Sequence, residues 1–339
     1  MSINLSELAW QMLESVPQKE ITTRSSDVRV DVGFVLHSLD STGHRHLLIP
    51  LAEDAQDVED TKSRGVTVVT RTLLQGPHGD EQTFIDVKCE EVALRDLFSK
   101  VCDEILELCD QSPSAPQSAV TVVLERWREL LGPASQKLLT ELQLKGLLAE
   151  LHVLEGIAEI SSQYAMRLWT GADKARHDFT GVNAACEVKA SSLTDEVKVH
   201  INGLNQLTPP PGSTLYLAVE RFERVPVGGD SVPASIDRLE HRGLDRHKIL
   251  TAISRVGAYP ADFDVYTRIQ FISLERRLYK VSNDFPRLSN ELLNNTVSAD
   301  RISNVEYVLN LGAQPPVPLG DRAVDQLPYW LLDGFDQVR

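Results

Sequence analysis

Several features that would assign this chain to a large class are scarce in it. Its 339 residues include four cysteines, Cys89, Cys102, Cys109 and Cys186. None lies in a Cys-x-x-Cys pair or beside a histidine that could share a metal, so reduced thiols are expected and neither a disulfide framework nor a zinc module organises the fold. No run of about 18 apolar residues occurs and no apolar run follows a basic cluster near the start. Met1 to Pro17 has instead the spacing of an amphipathic helix, with Leu5, Leu8, Ala9, Met12 and Leu13 on one stripe. A cytoplasmic protein with no membrane attachment is the expectation. Positive charge is short as well, with 34 Lys and Arg against 49 Asp and Glu and a net charge of −15. Bulk charge therefore cannot hold nucleic acid; a local basic face, a metal ion or a gripping partner would be needed. Low-complexity tracts are missing, and hydrophobic residues make up 42% of the chain, enough to bury one large or two ordinary cores.

What is present points to one stretch, His177-Asp178-Phe179-Thr180-Gly181-Val182-Asn183-Ala184-Ala185-Cys186-Glu187-Val188-Lys189. It has the pattern of a strand, a Gly/Asn turn and a second, buried strand, with Gly181 and Asn183 supplying positive φ in a tight hairpin. Side chains two apart on a strand share a face, so Glu187 and Lys189 are expected side by side with Val188 turned to the core. The hairpin returns Asp178 to the neighbourhood of Glu187. Two converging carboxylates repel unless a cation lies between them, and hard oxygen ligands suit Mg²⁺, with Mn²⁺ as its substitute. Glu-x-Lys alone is not distinctive, since a chain of this length carries roughly one by chance. Glu196-Val197-Lys198 is a second copy. It lacks a preceding hairpin and reads as a solvated strand start.

Around that stretch the chain divides by composition. Residues 1–112 read as an N-terminal α+β accessory unit, with strands at Val28 to Leu36, His46 to Pro50, Gly65 to Leu74 and Thr83 to Lys88 and a helix at Glu91 to Cys109. Its role is open between target reading, subunit docking and plain fold extension. The Pro- and Ser-rich stretch 111–118 reads as a linker. Residues 119–290 form the expected core, and 291–339 a C-terminal extension packing on it, ending in a Pro-rich tail with Trp330. Helices are expected at Val120 to Leu131 and Ala134 to Ile160, the second carrying Glu150 at the border of an apolar stripe, either an ordinary surface acid or a carboxylate looking into a cleft. Gln163 to Gly171 reads as a first core strand, followed by the two hairpin strands. A strand-to-helix passage at Val197 to Leu207 carries Gln206, as a helix cap or a group near a phosphate. Thr214 to Glu220 is a further buried strand, and Phe263 to Phe271 and Arg277 to Val281 two more. Between these, Ser235 to Tyr259 has the helical stretch with Arg242, Arg246 and Lys248. It is either a solvated face offset by Asp237, Glu240 and Asp245 or a surface that tracks a DNA backbone.

Asp178, Glu187 and Lys189 follow a D-(x)n-E-x-K pattern, and the order helix, three strands, helix, strand surrounds them. In both respects the chain resembles the PD-(D/E)XK nuclease superfamily and its α/β, restriction-endonuclease-like αβββαβ core. It also resembles a bacterial family of PD-(D/E)XK motif proteins. That family has a Gly-Leu-x-x-Glu helix, a Trp-x-Gly strand, a His-Asp-Phe followed by Glu-Val-Lys, and a late segment like Tyr279 to Leu288; here the first two are Gly146 to Glu150 and Trp169 to Gly171. The resemblance implies a Mg²⁺-dependent DNA endonuclease of a restriction or phage-defence operon, leaving 5′-phosphate and 3′-hydroxyl ends, beside an ATPase or methyltransferase subunit. Asp178, Glu187 and the Val188 carbonyl would hold the metal, Lys189 would orient or help deprotonate the attacking water and stabilise charge on the phosphorane, and Glu150 would hold a further water or a second metal. Homodimerisation is expected, because breaking both strands takes two sites. The alternative is a catalytically silent nuclease-fold adaptor linking an ATPase to DNA.

Overall fold

The computed structural model describes residues 4–15, 21–75, 80–133, 137–192, 197–289, 292, 301–302, 304–320 and 322–335. The chain is a mixed α/β protein in two compact units, one of Met1–Leu138 with Gly257–Phe263, the other of Leu139–Val256 with Asp264–Arg339. No helix among the described residues is long and apolar enough to cross a membrane.

The first unit is a six-stranded antiparallel sheet, β1 (Thr22–Val30), β2 (Gly33–Leu39), β3 (Arg45–Leu51), β4 (Glu59–Asp60), β5 (Val66–Gln75) and β6 (Asp80–Cys89), in the order β1-β2-β3-β6-β5-β4. Helices α1 (Leu5–Glu14) and α2 (Arg95–Gln111) pack on it, and α3 (Pro116–Leu131) packs on α2. The pin is Trp10, fully buried against Phe98 with its indole N–H donating to the Ser38 carbonyl at 3.2 Å. Beside it the buried Arg45 guanidinium is gripped by Glu7 at 2.6 and 3.0 Å. The 111–118 stretch is a corner and not a linker. Pro116 starts α3 where a proline's missing N–H is harmless. The stripe of Val120, Val123, Leu124 and Trp127 then needs α2 as its cover, so the division falls after Leu138.

The second unit begins with α4 (Glu141–Leu168), opened by a capping box between Thr140 and Gln143. Ser161 is non-helical, yet the helix resumes, so Gln163 to Leu168 is helix where a strand is expected from the sequence. Gln, Ala, Met, Arg and Leu are strong helix formers and the kink lets them continue. Only Trp169 keeps strand character, as a bridge to Phe179. There follow β7 (Phe179–Thr180), β8 (Ala184–Ser192), β9 (Lys198–Asn202) and β10 (Thr214–Val225). No helix stands between β9 and β10; Gly203 to Ser213 is a series of turns, so Gln206 sits on a loop. Helices α5 (Val232–His241) and α6 (Arg246–Arg255) and a single turn α7 (Phe263–Tyr266) come next, then β11 (Gln270–Lys280), β12 (Glu306–Asn310) and α8 (Ala323–Leu332). β11 takes in the strand expected at Arg277 to Val281, but of the one expected at Phe263 to Phe271 only Gln270 and Phe271 are strand, Phe263 to Tyr266 being the turn α7. Glu196, of the second Glu-Val-Lys, lies outside the described residues.

The main sheet has the order β11-β10-β8-β7, with β10 parallel to β8, while β9 and β12 pair separately. One face of β8 and β10 carries Ala185, Leu215, Leu217 and Val219, sealed by Val197, Val199, Ile201 and Tyr279. Each Val, Leu or Ile among them contributes roughly 1.5–3 kcal/mol on burial. Against the other face lie α4 and α8, with Tyr216 stacked on Trp330 at 4.8 Å. The C-terminal segment is thus a helix holding the sheet.

Gly181 at the hairpin turn is required for close approach and not for positive φ. A Cβ there would run into the carbonyl oxygen of Leu331 on α8. Gly181→Ala is expected to destabilise this unit by about 1–3 kcal/mol, read as a lower urea midpoint. An unchanged midpoint would show that α8 does not seat on the turn.

Candidate active site

β7 and β8 pair Phe179 with Cys186 and Thr180 with Ala185. β7 therefore begins one residue after Asp178, which lies across from Glu187, and the Asp178 Oδ2 takes the Val188 N–H at 2.7 Å. The N–H and C=O of one strand residue point the same way, so the Val188 carbonyl faces the edge that Asp178 occupies. The Asp178 backbone is fixed in turn, its carbonyl accepting from the N–H groups of Thr170 and Gly171 at 2.8 and 2.9 Å.

Glu187 and Lys189 share a face as their spacing demands, with Lys189 Nζ 2.7 Å from Glu187 Oε1. Glu187 is 1% exposed, and its second oxygen, Oε2, has no hydrogen-bond partner among the described residues. Leaving a buried charged acceptor unmatched costs about 1–3 kcal/mol or more. The Lys189 ammonium also donates to Gln206 Oε1 at 3.1 Å, and that same oxygen accepts the Asn202 N–H at 2.8 Å. Gln206 thus holds the lysine.

Glu150 reaches the same place from α4. Its Oε2 accepts the Trp169 indole N–H at 2.8 Å. Gly171 fills the gap between the acids: a Cβ there would stand 2.8 Å from Asp178 Oδ1 and 3.0 Å from Glu150 Oε2. The roles of Trp169 and Gly171 were concealed in the sequence by the strand reading of that segment, although their x-spaced pairing was the available signal. His177, next to Asp178, is buried as well.

All three acids are held toward the protonated form. Burial, then the Asp178 charge, pushes Glu187 up to about 8 against the pull of Lys189. Burial raises Glu150 well above the usual carboxylate range, helped by Asp178 and Glu187 and opposed by Trp169 and Lys189. Asp178 is raised by burial, opposed by the Val188 N–H and Lys189. One ammonium does not balance three carboxyl groups.

Among the described residues, no three His, Cys, Asp or Glu side chains close into a ready-made metal cage. The donor set suits a hard cation that retains water: two carboxylates, Asp178 and Glu187, and the Val188 carbonyl. The orphaned Oε2 of Glu187 is the atom such a cation would satisfy.

Of the possible phosphate contacts, Gln206 is at the site, on Lys189, while the arginines are taken up by acids of their own helices and of α4. Arg246 is engaged by Asp237 and Glu240 at 2.6 and 2.8 Å, and Arg242 lies 3.4 Å from Glu155. Both are therefore neutralised within α5, α6 and α4. Lys248 on α6 has no ion-pair partner among the described residues. A cavity of about 660 Å³ is lined by Val188, Ala218, Glu220 and His152. It lies on the side of the sheet away from Glu187 and Lys189, and it is not the carboxylate site.

In comparisons with known proteins, a family described as "Putative PD-(D/E)XK family member, (DUF4420)" matches residues 6–312. No curated protein and no solved structure matches.

The raised Glu187 value sets a pH dependence. A carboxyl group at about 8 when folded and 4.5 ordinarily leaves the folded chain holding more protons across that window. Stability is then fully present below the lower value and declines as pH rises toward the upper one. With chelator present, the urea midpoint should fall between about pH 5 and 8, and Glu187→Gln should recover on the order of 3 kcal/mol at the alkaline end. Mg²⁺ should raise the wild-type midpoint more than that of the variant. A flat wild-type profile would contradict the buried-acid geometry.

Proposed function

Because the chain belongs to this PD-(D/E)XK family, we propose that it is a Mg²⁺-dependent endodeoxyribonuclease with Asp178, Glu187 and Lys189 as its catalytic groups. The observation that supports the reading is the Glu187 carboxylate, sealed from water beside Asp178 with one oxygen unmatched and an ammonium on the other. Asp178, Glu187 and the Val188 carbonyl would hold the Mg²⁺, or Mn²⁺ in its place, which when bound polarises a phosphoryl oxygen and acidifies a coordinated water. Lys189 is the chain's own contribution to the charged transition state. Fixed by Gln206 and Glu187, its ammonium donates to the attacking water or to a non-bridging phosphate oxygen, in a site where water screens poorly. Glu150, oriented by Trp169, positions a water behind the pair. On the resemblance of its motifs we further place the protein in a restriction or phage-defence system, with an ATPase or methyltransferase partner and a homodimer for double-strand cutting.

A silent adaptor is the second reading. It is favoured by the neutralisation of the α5 and α6 arginines, which leaves that face little free charge with which to hold DNA for cutting. Nicking of supercoiled plasmid separates the two. Wild type with Mg²⁺ should nick, chelator should stop it, and Asp178→Ala, Glu187→Gln and Lys189→Ala should each lower the rate by about 10²-fold or more. Nicking retained by Asp178→Ala would remove the assignment. Plasmid binding without nicking, in Mg²⁺ or Mn²⁺ and with operon partners added, would establish the adaptor.

A further inference from the structure

An enzyme of net charge −15 must still hold a polyanion at its carboxylates, and most arginines of the second unit are unavailable for it. Arg238 is bonded to Asp230 and Glu155, Arg246 to Asp237 and Glu240, and Arg276 to Glu220. The segment between Trp169 and Asp178 is different. It is a closed loop, tied at its base by the Trp169–Phe179 bridge and by the Thr170 and Gly171 N–H groups on the Asp178 carbonyl. Inside it the Lys174 N–H bonds the Gly171 carbonyl at 2.9 Å, and the Thr170 hydroxyl donates to the His177 carbonyl at 2.9 Å. The loop therefore has a set shape, and its last residue is the Asp178 carboxylate.

Residues 173–176 on this loop are exposed. Its one other acid, Asp173, is neutralised by Arg255 of α6. That leaves Lys174 and Arg176 as uncompensated positive charge. Among the described residues neither the ammonium nor the guanidinium has an ion-pair or hydrogen-bond partner. Lys174 stands at the turn of the loop with φ of +57°. Two free cations are thus fixed within four residues of the acid expected to meet the scissile phosphate.

We propose that Lys174 and Arg176 form a phosphate-binding lip that receives the DNA backbone beside the scissile position. The inference rests on the nuclease reading and identifies where an acidic chain would make its electrostatic contact. Each cation that neutralises a phosphate releases condensed counterions, which gives each contact a signature in the salt dependence of binding.

The test uses the full chain carrying Glu187→Gln, so that DNA is not cut, with a short fluorescent duplex, Mg²⁺ and a KCl series. Adding Lys174→Asn, which tolerates the left-handed backbone, together with Arg176→Gln should weaken binding. The slope of log K against log salt should become shallower by roughly 2. The charge-keeping pair Lys174→Arg and Arg176→Lys should retain both affinity and slope. If the parent binds the duplex and the neutral pair leaves the slope unchanged, the lip is overturned and the nuclease reading stands. Equal losses in the neutral and charge-keeping pairs would mean that loop shape matters and charge does not, which also overturns it. A parent chain with no salt-dependent duplex binding would defeat the functional reading and the lip together.

Discussion

A carboxylate shut away from water beside a second carboxylate, with a single ammonium to balance them, is the constraint on which the second unit depends. Burying such a group is unfavourable unless every lone pair is met, and Glu187 Oε2 is not met among the described residues. The hydrophobic face of β8 and β10 offsets the cost. Leu217 and Val219 stand directly opposite Glu187 and Lys189 in the parallel ladder, so the same strands that make the core also carry the acids. A site of this kind is held in an unfavourable electrostatic state by the stability of its surroundings.

Holding the acids in register takes several small devices whose purposes are geometric. β7 is two residues long, which lets the Asp178 side chain, and no further strand residue, cap the Val188 N–H. Trp169 steers Glu150, and Gly171 is small enough for both acids to approach. At the other end of the hairpin, Gly181 lets the turn rest on the α8 backbone, and Asn183 donates to Asp333 at 2.9 Å. The C-terminal helix is in this way part of the support of the site, although it contributes no reacting group.

Much of this is legible in the chain. The hairpin, the Glu187–Lys189 pair on one face and the buried character of β8 and β10 follow from strand alternation and apolar runs, which are local. Gln163 to Leu168 looked like a strand because the helical pattern stumbles at Ser161, and a kink cannot be inferred from spacing. Phe263 to Phe271 looked like a strand from its apolar content, yet Phe263 to Tyr266 closes a helical turn. The basic stretch at Arg242, Arg246 and Lys248 counted as a charged face, but counting cannot tell a free guanidinium from one facing Glu155 or Asp237. The Pro-rich tail holds a helix despite Pro328 inside it, because α8 packs on α4, where the proline ring sits against Gly156.

The sequence by itself determined the acid, acid and lysine combination, the faces on which Glu187 and Lys189 stand, and the mixed α/β class. These depend on residue type and on the repeat of a strand or helix. Tertiary structure alone decided that Glu150 comes to the same place, that Trp169 and Gly171 shape it, that Gln206 grips Lys189, and which cations remain free. Each of those is a meeting of separate elements, set by packing and ion pairing, and the repeat of a single strand or helix does not encode it.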